Sequence, residues 1–185
     1  MHRSYVSLAE DIGSLLLRFP DLTDRFRQND VWFVGGLEAW LKEGHDTLKR
    51  HGIAECARLA GFRAKLFVAP NDGGRRRLTR KAQIQIASEM MFDVQDTLLE
   101  VYKPIERRLN SCRDVIRPLL EAIRQTGMVK YSGDDGFNAF LDTLWNVLRG
   151  HDQLKSRMSS VLSLVSEGDA RRLVAETLDL ENWNG

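Results

Sequence analysis

The chain is 185 residues long, with 43% apolar and 29% charged residues and a formal net charge of +1 at pH 7. That balance excludes a disordered chain, which needs low hydrophobicity and strong net charge. It also provides no global field to steer the protein onto nucleic acid or an anionic surface.

No apolar run approaches the roughly 20 residues of a membrane span, and the N-terminus, Met-His-Arg-Ser-Tyr and then an amphipathic segment interrupted by Glu10 and Asp11, has neither the apolar core nor the small-residue site of a signal peptide. Cys56 and Cys112 lie among apolar neighbours, outside any CxxC or Cys/His cluster. Two buried free thiols and a cytoplasmic setting are therefore expected. The four prolines, Pro20, Pro70, Pro104 and Pro118, leave long stretches free to be helical.

Helical spacing dominates from the start. Tyr5, Leu8, Ile12, Leu15, Leu16 and Phe19 recur at three- and four-residue intervals, beginning at Ser4 or at a Ser7/Glu10 capping box and stopped by Pro20. Asp21 can cap a short turn through Phe26. Asp30 can cap a longer helix carrying Phe33, Val34, Leu37, Trp40, Leu41 and Leu48. Lys49, Arg50 and His51 suit that helix's negative end, and Gly52 suits its left-handed cap. Gly35 and Gly36, inside it, imply a close helix crossing or a break. Residues 53–69 are helical, with a break expected at Gly61, and Pro70 closes them. Asn71-Asp72-Gly73-Gly74 is the clearest loop, and it divides an N-terminal cluster, residues 1–70, a loop, 71–77, and a second part, 78–185.

Beyond that loop Met90, Met91, Val94, Leu98, Val101, Ile105, Leu109, Cys112, Ile116, Leu119 and Ile123 keep one phase as far as Thr126-Gly127. A loop at Pro104 or Pro118 would scramble the phase. One long helix kinked at the prolines is expected over a helical pair broken near Lys103. After a second loop, 128–136, Phe137, Phe140, Leu141, Leu144, Trp145 and Leu148 line a helix ending at Gly150. Asp152 can cap the next, and Ser166 with Asp169 the last, and short connections favour an antiparallel arrangement of these three. The expected fold is all-α: a multi-helix bundle of about seven helices with a long central helix.

Chemistry is harder to find. No phosphate-binding loop, dinucleotide fingerprint, GxSxG or HExxH occurs. His45 and His51 stand six apart, off the i, i+4 spacing for a shared metal. Glu89, Asp93, Asp96 and Glu100 fall within about 60° on a helix, as clustered carboxylates do in metal-dependent helical enzymes. No second acidic motif follows, so a solvated face is the preferred reading. No cofactor is expected.

The segment Ala57, Gly61, Phe62 resembles the first helix and turn of a helix-turn-helix DNA-binding motif. The resemblance implies a recognition helix over 62–69, but only Arg63 and Lys65 would face bases there. Arg75, Arg76, Arg77, Arg80 and Lys81 extend it into a phosphate-binding cluster.

Residues 73–130 carry 12 Lys/Arg against 7 Asp/Glu, and residues 131–185 carry 5 against 9. Arg113, Arg117 and Arg124 beside the apolar seam can therefore pair with the acidic C-terminal helices or with a partner. Trp40 and Trp145 read as core, whereas Trp183, in a polar tail, folds back or anchors a partner. With so much apolar helix surface and no catalytic constellation, the leading expectation is a non-catalytic protein–protein interaction or assembly module. Nucleic-acid binding is the first alternative and a metal-dependent enzyme the second.

Overall fold

A computed structural model of the chain describes residues 4–67, 79–131 and 136–183. The all-α expectation is borne out: eight α-helices and a closing 3-10 turn hold the described residues, and no β-strand occurs among them. In chain order the helices are α1 (Tyr5–Leu17), α2 (Phe19–Arg27), α3 (Phe33–Arg50) and α4 (Cys56–Lys65). Then come α5 (Arg80–Thr126), α6 (Gly136–Gly150), α7 (Asp152–Leu164), α8 (Glu167–Thr177) and the 3-10 turn Leu180–Trp183.

The helix ends follow local chemistry. Pro20 sits in the first turn of α2, where its missing N–H costs no hydrogen bond. Gly52 and Gly127 take positive φ, 61° and 62°, just beyond α3 and α5, the conformation a side chain would resist. Ser166 caps α8 by accepting from Asp169 N at 3.1 Å. At α7 the cap is His151, whose ring accepts from Gln153 N, and the expected capping residue Asp152 instead pairs with Lys155.

The long helix α5 runs 47 residues without interruption through Pro104 and Pro118, so the break near Lys103 does not occur. Its seam is buried from Met90 to Ile123, with Val101 partly exposed. The chain nevertheless divides into two compact units, Ser7–Pro104 and Met1–Val6 with Ile105–Gly185. That division falls inside α5, and the loop expected at 71–77 lies outside the described residues. Glycines and prolines mark where a chain can turn. Which helices cover each half of a seam decides where compactness changes.

In the N-terminal unit, Ser7–Pro104, α3 is central. A Cβ placed on Gly44 would stand 3.1 Å from Leu59 Cδ1 and 4.0 Å from both Leu15 Cδ1 and Leu98 Cδ2. Elements α1, α4 and α5 therefore all approach α3 at its bare backbone. That crossing was expected at Gly35 and Gly36. Gly36 is near Leu22 and Arg25, while Gly35 faces open space. Phe19, the first residue of α2, links that helix to α3 and α5 through rings 5.6 Å from Trp40 and 6.1 Å from Phe92.

In the C-terminal unit a carboxylate serves as a clasp. Asp169 is 2% exposed and accepts from Ser4 Oγ at 2.5 Å and from Tyr5 N at 2.8 Å. It thus satisfies a backbone donor at the start of α1, which no helical carbonyl can reach. The Arg108 guanidinium lies over the Tyr5 ring, 4.7 Å from its centre. Burial pushes the neighbouring Cys112 thiol above its ordinary value, against the opposing pull of Arg108 and Arg113.

Candidate functional site

The corner between α2 and α3 departs most from an ordinary helical surface. Asn29 adopts φ 52°, and Asp30 then closes the turn: its carboxylate accepts from Trp32 N at 2.8 Å and its carbonyl from Phe33 N at 3.2 Å. Phe33 begins the buried stripe of α3 and meets the Phe26 ring at 5.2 Å. Val31 and Trp32, immediately before it, are left outside, 60% and 72% exposed. The other three tryptophans are 4–6% exposed, and two of their indoles donate inside the fold, Trp40 to Leu15 O and Trp145 to Glu167.

One cation touches the exposed pair, and two more belong to the same unit. Arg80 Nη2 donates to Val31 O at 2.6 Å, so its charge meets a backbone carbonyl and no carboxylate among the described residues. Arg25, which lies against Gly36 on the same corner, makes no ion pair or side-chain hydrogen bond among the described residues. Lys81 is exposed and likewise unpaired among them.

On α5 in the same unit, Glu89, Asp93, Asp96 and Glu100 are all exposed. Glu100 pairs with Arg58 at 2.5 Å and Glu89 accepts from Gln85 at 3.0 Å. Asp93 and Asp96 carboxylates have no partner among the described residues. Nor does any group of three His, Cys, Asp or Glu among those residues converge as metal ligands. All four carboxylates face solvent, so the stripe is a solvated face among the described residues. Beside the stripe stands Phe92, 57% exposed. Sequence reading missed it, although at 100° per residue it falls about 160° from Val94, an aromatic ring on the polar side of the helix.

The helix-turn-helix expectation is overturned. Helix α4 runs straight through Gly61, with nothing near that glycine to force a turn, so residues 62–65 continue the first helix rather than forming a second. Arg63 pairs with Glu38 at 2.6 Å, and Lys65 lies over the Phe62 ring at 5.4 Å from its centre. Arg75, Arg76 and Arg77 lie outside the described residues.

The C-terminal unit gathers three of the four residues marked for partner contact. Arg117, Arg124 and Trp183 line a cleft of about 510 Å³ beside the end of α5, with Leu120, Glu121 and Asp179. Trp183 has folded back: it is 6% exposed, its ring meets Phe140 at 5.4 Å, and its carbonyl accepts from Tyr131 N at 3.1 Å. It is a wall of the cleft and no longer a free anchor. Arg113, outside the cleft, bonds Glu106, Asn110 and Glu176, as expected from the acidic C-terminal helices.

Arg124 forks onto Glu121 at 2.9 and 2.5 Å, and Gln125 donates to the same carboxylate at 2.8 Å. These hydrogen bonds hold Glu121 below its ordinary value and raise Arg124. The fork is therefore present at neutral pH and is lost only as the pH falls through that lowered value.

No helix of the described residues is long and apolar enough to cross a membrane. Compared with protein-family models, curated proteins and solved structures, the chain matches none.

Proposed function

We propose that the chain is a helical assembly module without catalysis, in which the Val31–Trp32 corner of one copy seats on the Phe92–Asp93–Asp96 face of α5 in another. The observation that carries this reading is Trp32, an indole 72% exposed in a chain that buries its other three. Large aromatic side chains kept in water at a fixed corner are typical anchors of protein contacts. Charge supports the choice of occupant. Arg80 at Val31 and Arg25 at Gly36 have no acidic partners among the described residues, and Asp93 and Asp96, on the same side of α5 as Phe92, have no basic ones. Such a contact joins two different surfaces, so it propagates into a ring or a filament. The unbridged Cys56 and Cys112 suit a cytoplasmic setting.

Sedimentation velocity on the full chain at rising concentration, in low and high salt, tests the reading. It expects species heavier than the 21.2 kDa monomer that dissociate as salt rises. Trp32→Ala, and separately Asp93→Lys with Asp96→Lys, return the monomer. A strict monomer at every concentration would overturn it.

A second reading is favoured by one arrangement: Arg80, without an acidic partner among the described residues, bonds the carbonyl of Val31 next to the exposed Trp32, the pairing of cation and stacking platform that holds single-stranded nucleic acid. Fluorescence anisotropy with labelled single-stranded DNA at low salt decides it. Absence of binding removes this alternative and leaves assembly untouched.

A further inference from the structure

The cleft at the end of α5 contains one charged side chain without a counterpart. Arg124 and Glu121 satisfy each other, Gln125 completes the carboxylate, and the Thr177 hydroxyl is taken up by Leu173 O at 2.7 Å. Asp179 is engaged as well. Arg117 alone among the charged lining residues makes no hydrogen bond or ion pair with any described residue. Its guanidinium therefore keeps five donors available at the cleft wall. Opposite chemistry supplies the rest of the lining: Pro118, the buried Leu120 and the indole of Trp183.

We infer that this cleft is a binding site for a small organic acid, a carboxylate on an apolar body, with Arg117 as the anchoring residue. Three considerations select that class. A single guanidinium matches a planar carboxylate through two parallel hydrogen bonds. Glu121 and Asp179 on the same lining oppose a dianion, which argues against a phosphate monoester. A volume of about 510 Å³, walled partly by an indole, accommodates an aromatic or branched body behind the acid. The site lies in the C-terminal unit and stands independently of the assembly contact, whose residues all belong to the N-terminal unit.

The test is calorimetric titration of the full chain with 2-naphthoate, and with the neutral 2-naphthalenemethanol. Saturable one-to-one binding of the acid is expected, weakened about tenfold or more in Arg117→Gln and for the neutral alcohol, because each loses the charge-assisted pair. Arg157→Gln removes the same charge from α7, where Arg157 is exposed and unpaired among the described residues, and leaves binding unchanged. The inference is overturned if no saturable binding occurs, if the alcohol binds as well as the acid, or if Arg117→Gln and Arg157→Gln act alike. The alcohol comparison uses the unaltered chain, so it decides even if Arg117→Gln folds poorly.

Discussion

Trp32 and Trp183 each follow a short acidic and amide pair in the sequence, Asn29-Asp30 and Glu181-Asn182, yet the two units treat them oppositely. Trp183 turns inward in the C-terminal unit, where Phe140 and Tyr131 form an aromatic cluster and Tyr131 N binds the tryptophan's own carbonyl. Trp32 precedes Phe33, which takes the inward position at the head of α3, and one residue on a helix is a rotation of about 100°. The inward side is already occupied, so Trp32 stays in water. A tryptophan's fate is thus decided by whether an apolar surface is left for it to cover.

The largest effect that tests this contrast is Trp183→Ala. Removing a buried indole that closes an aromatic cluster should cost about 3 kcal/mol, read as a lower urea midpoint in far-ultraviolet circular dichroism. A change below about 1 kcal/mol would mean that the tail does not close the unit.

Asp169→Ala comes next, at about 2 kcal/mol, because the Tyr5 amide loses its carboxylate partner in a buried place. Asp169→Asn should recover more than half of that loss, since its amide oxygen can still accept from Tyr5 N. Hydrogen exchange at the start of α1 distinguishes the two variants. Equal exchange in both would remove the clasp.

Glycines sharpen the comparison further. Gly35→Ala, in the first turn of α3 with open space around it, should stabilise by about 0.5 kcal/mol. Gly44→Ala should not gain that amount, because its methyl would press on the buried Leu59 at 3.1 Å. Thermal melts of the pair check this, and equal stabilisation by both would show that the crossing at Gly44 is loose. The smallest effect is Trp32→Ala on stability, under about 0.5 kcal/mol in the monomer, in contrast to its full effect on self-association.

Much of the fold was legible because helices are local objects. The seam of α5, the glycines at the ends of α3 and α5, the Ser166 cap and the core roles of Trp40 and Trp145 all follow from spacings of three and four residues and from end chemistry. Much of the candidate site was not. Val31 and Phe92 were hidden because an exposed apolar residue looks like any other until its neighbours are known. The helix-turn-helix resemblance at Gly61 failed for a related reason: glycine permits a turn, and packing decides whether one is made.

What the sequence by itself determined is therefore the set of helices, their apolar faces and most of their ends, since each depends on interactions within a turn or two of chain. The tertiary structure alone decided that Gly44 is the crossing point, that Asp169 clasps Tyr5 across 164 positions and that Trp183 is covered while Trp32 is not. It also decided that Arg113 and Arg124 are paired while Arg117 has no partner among the described residues. Those outcomes depend on which groups distant in the chain come within a few ångströms, and no local spacing encodes that.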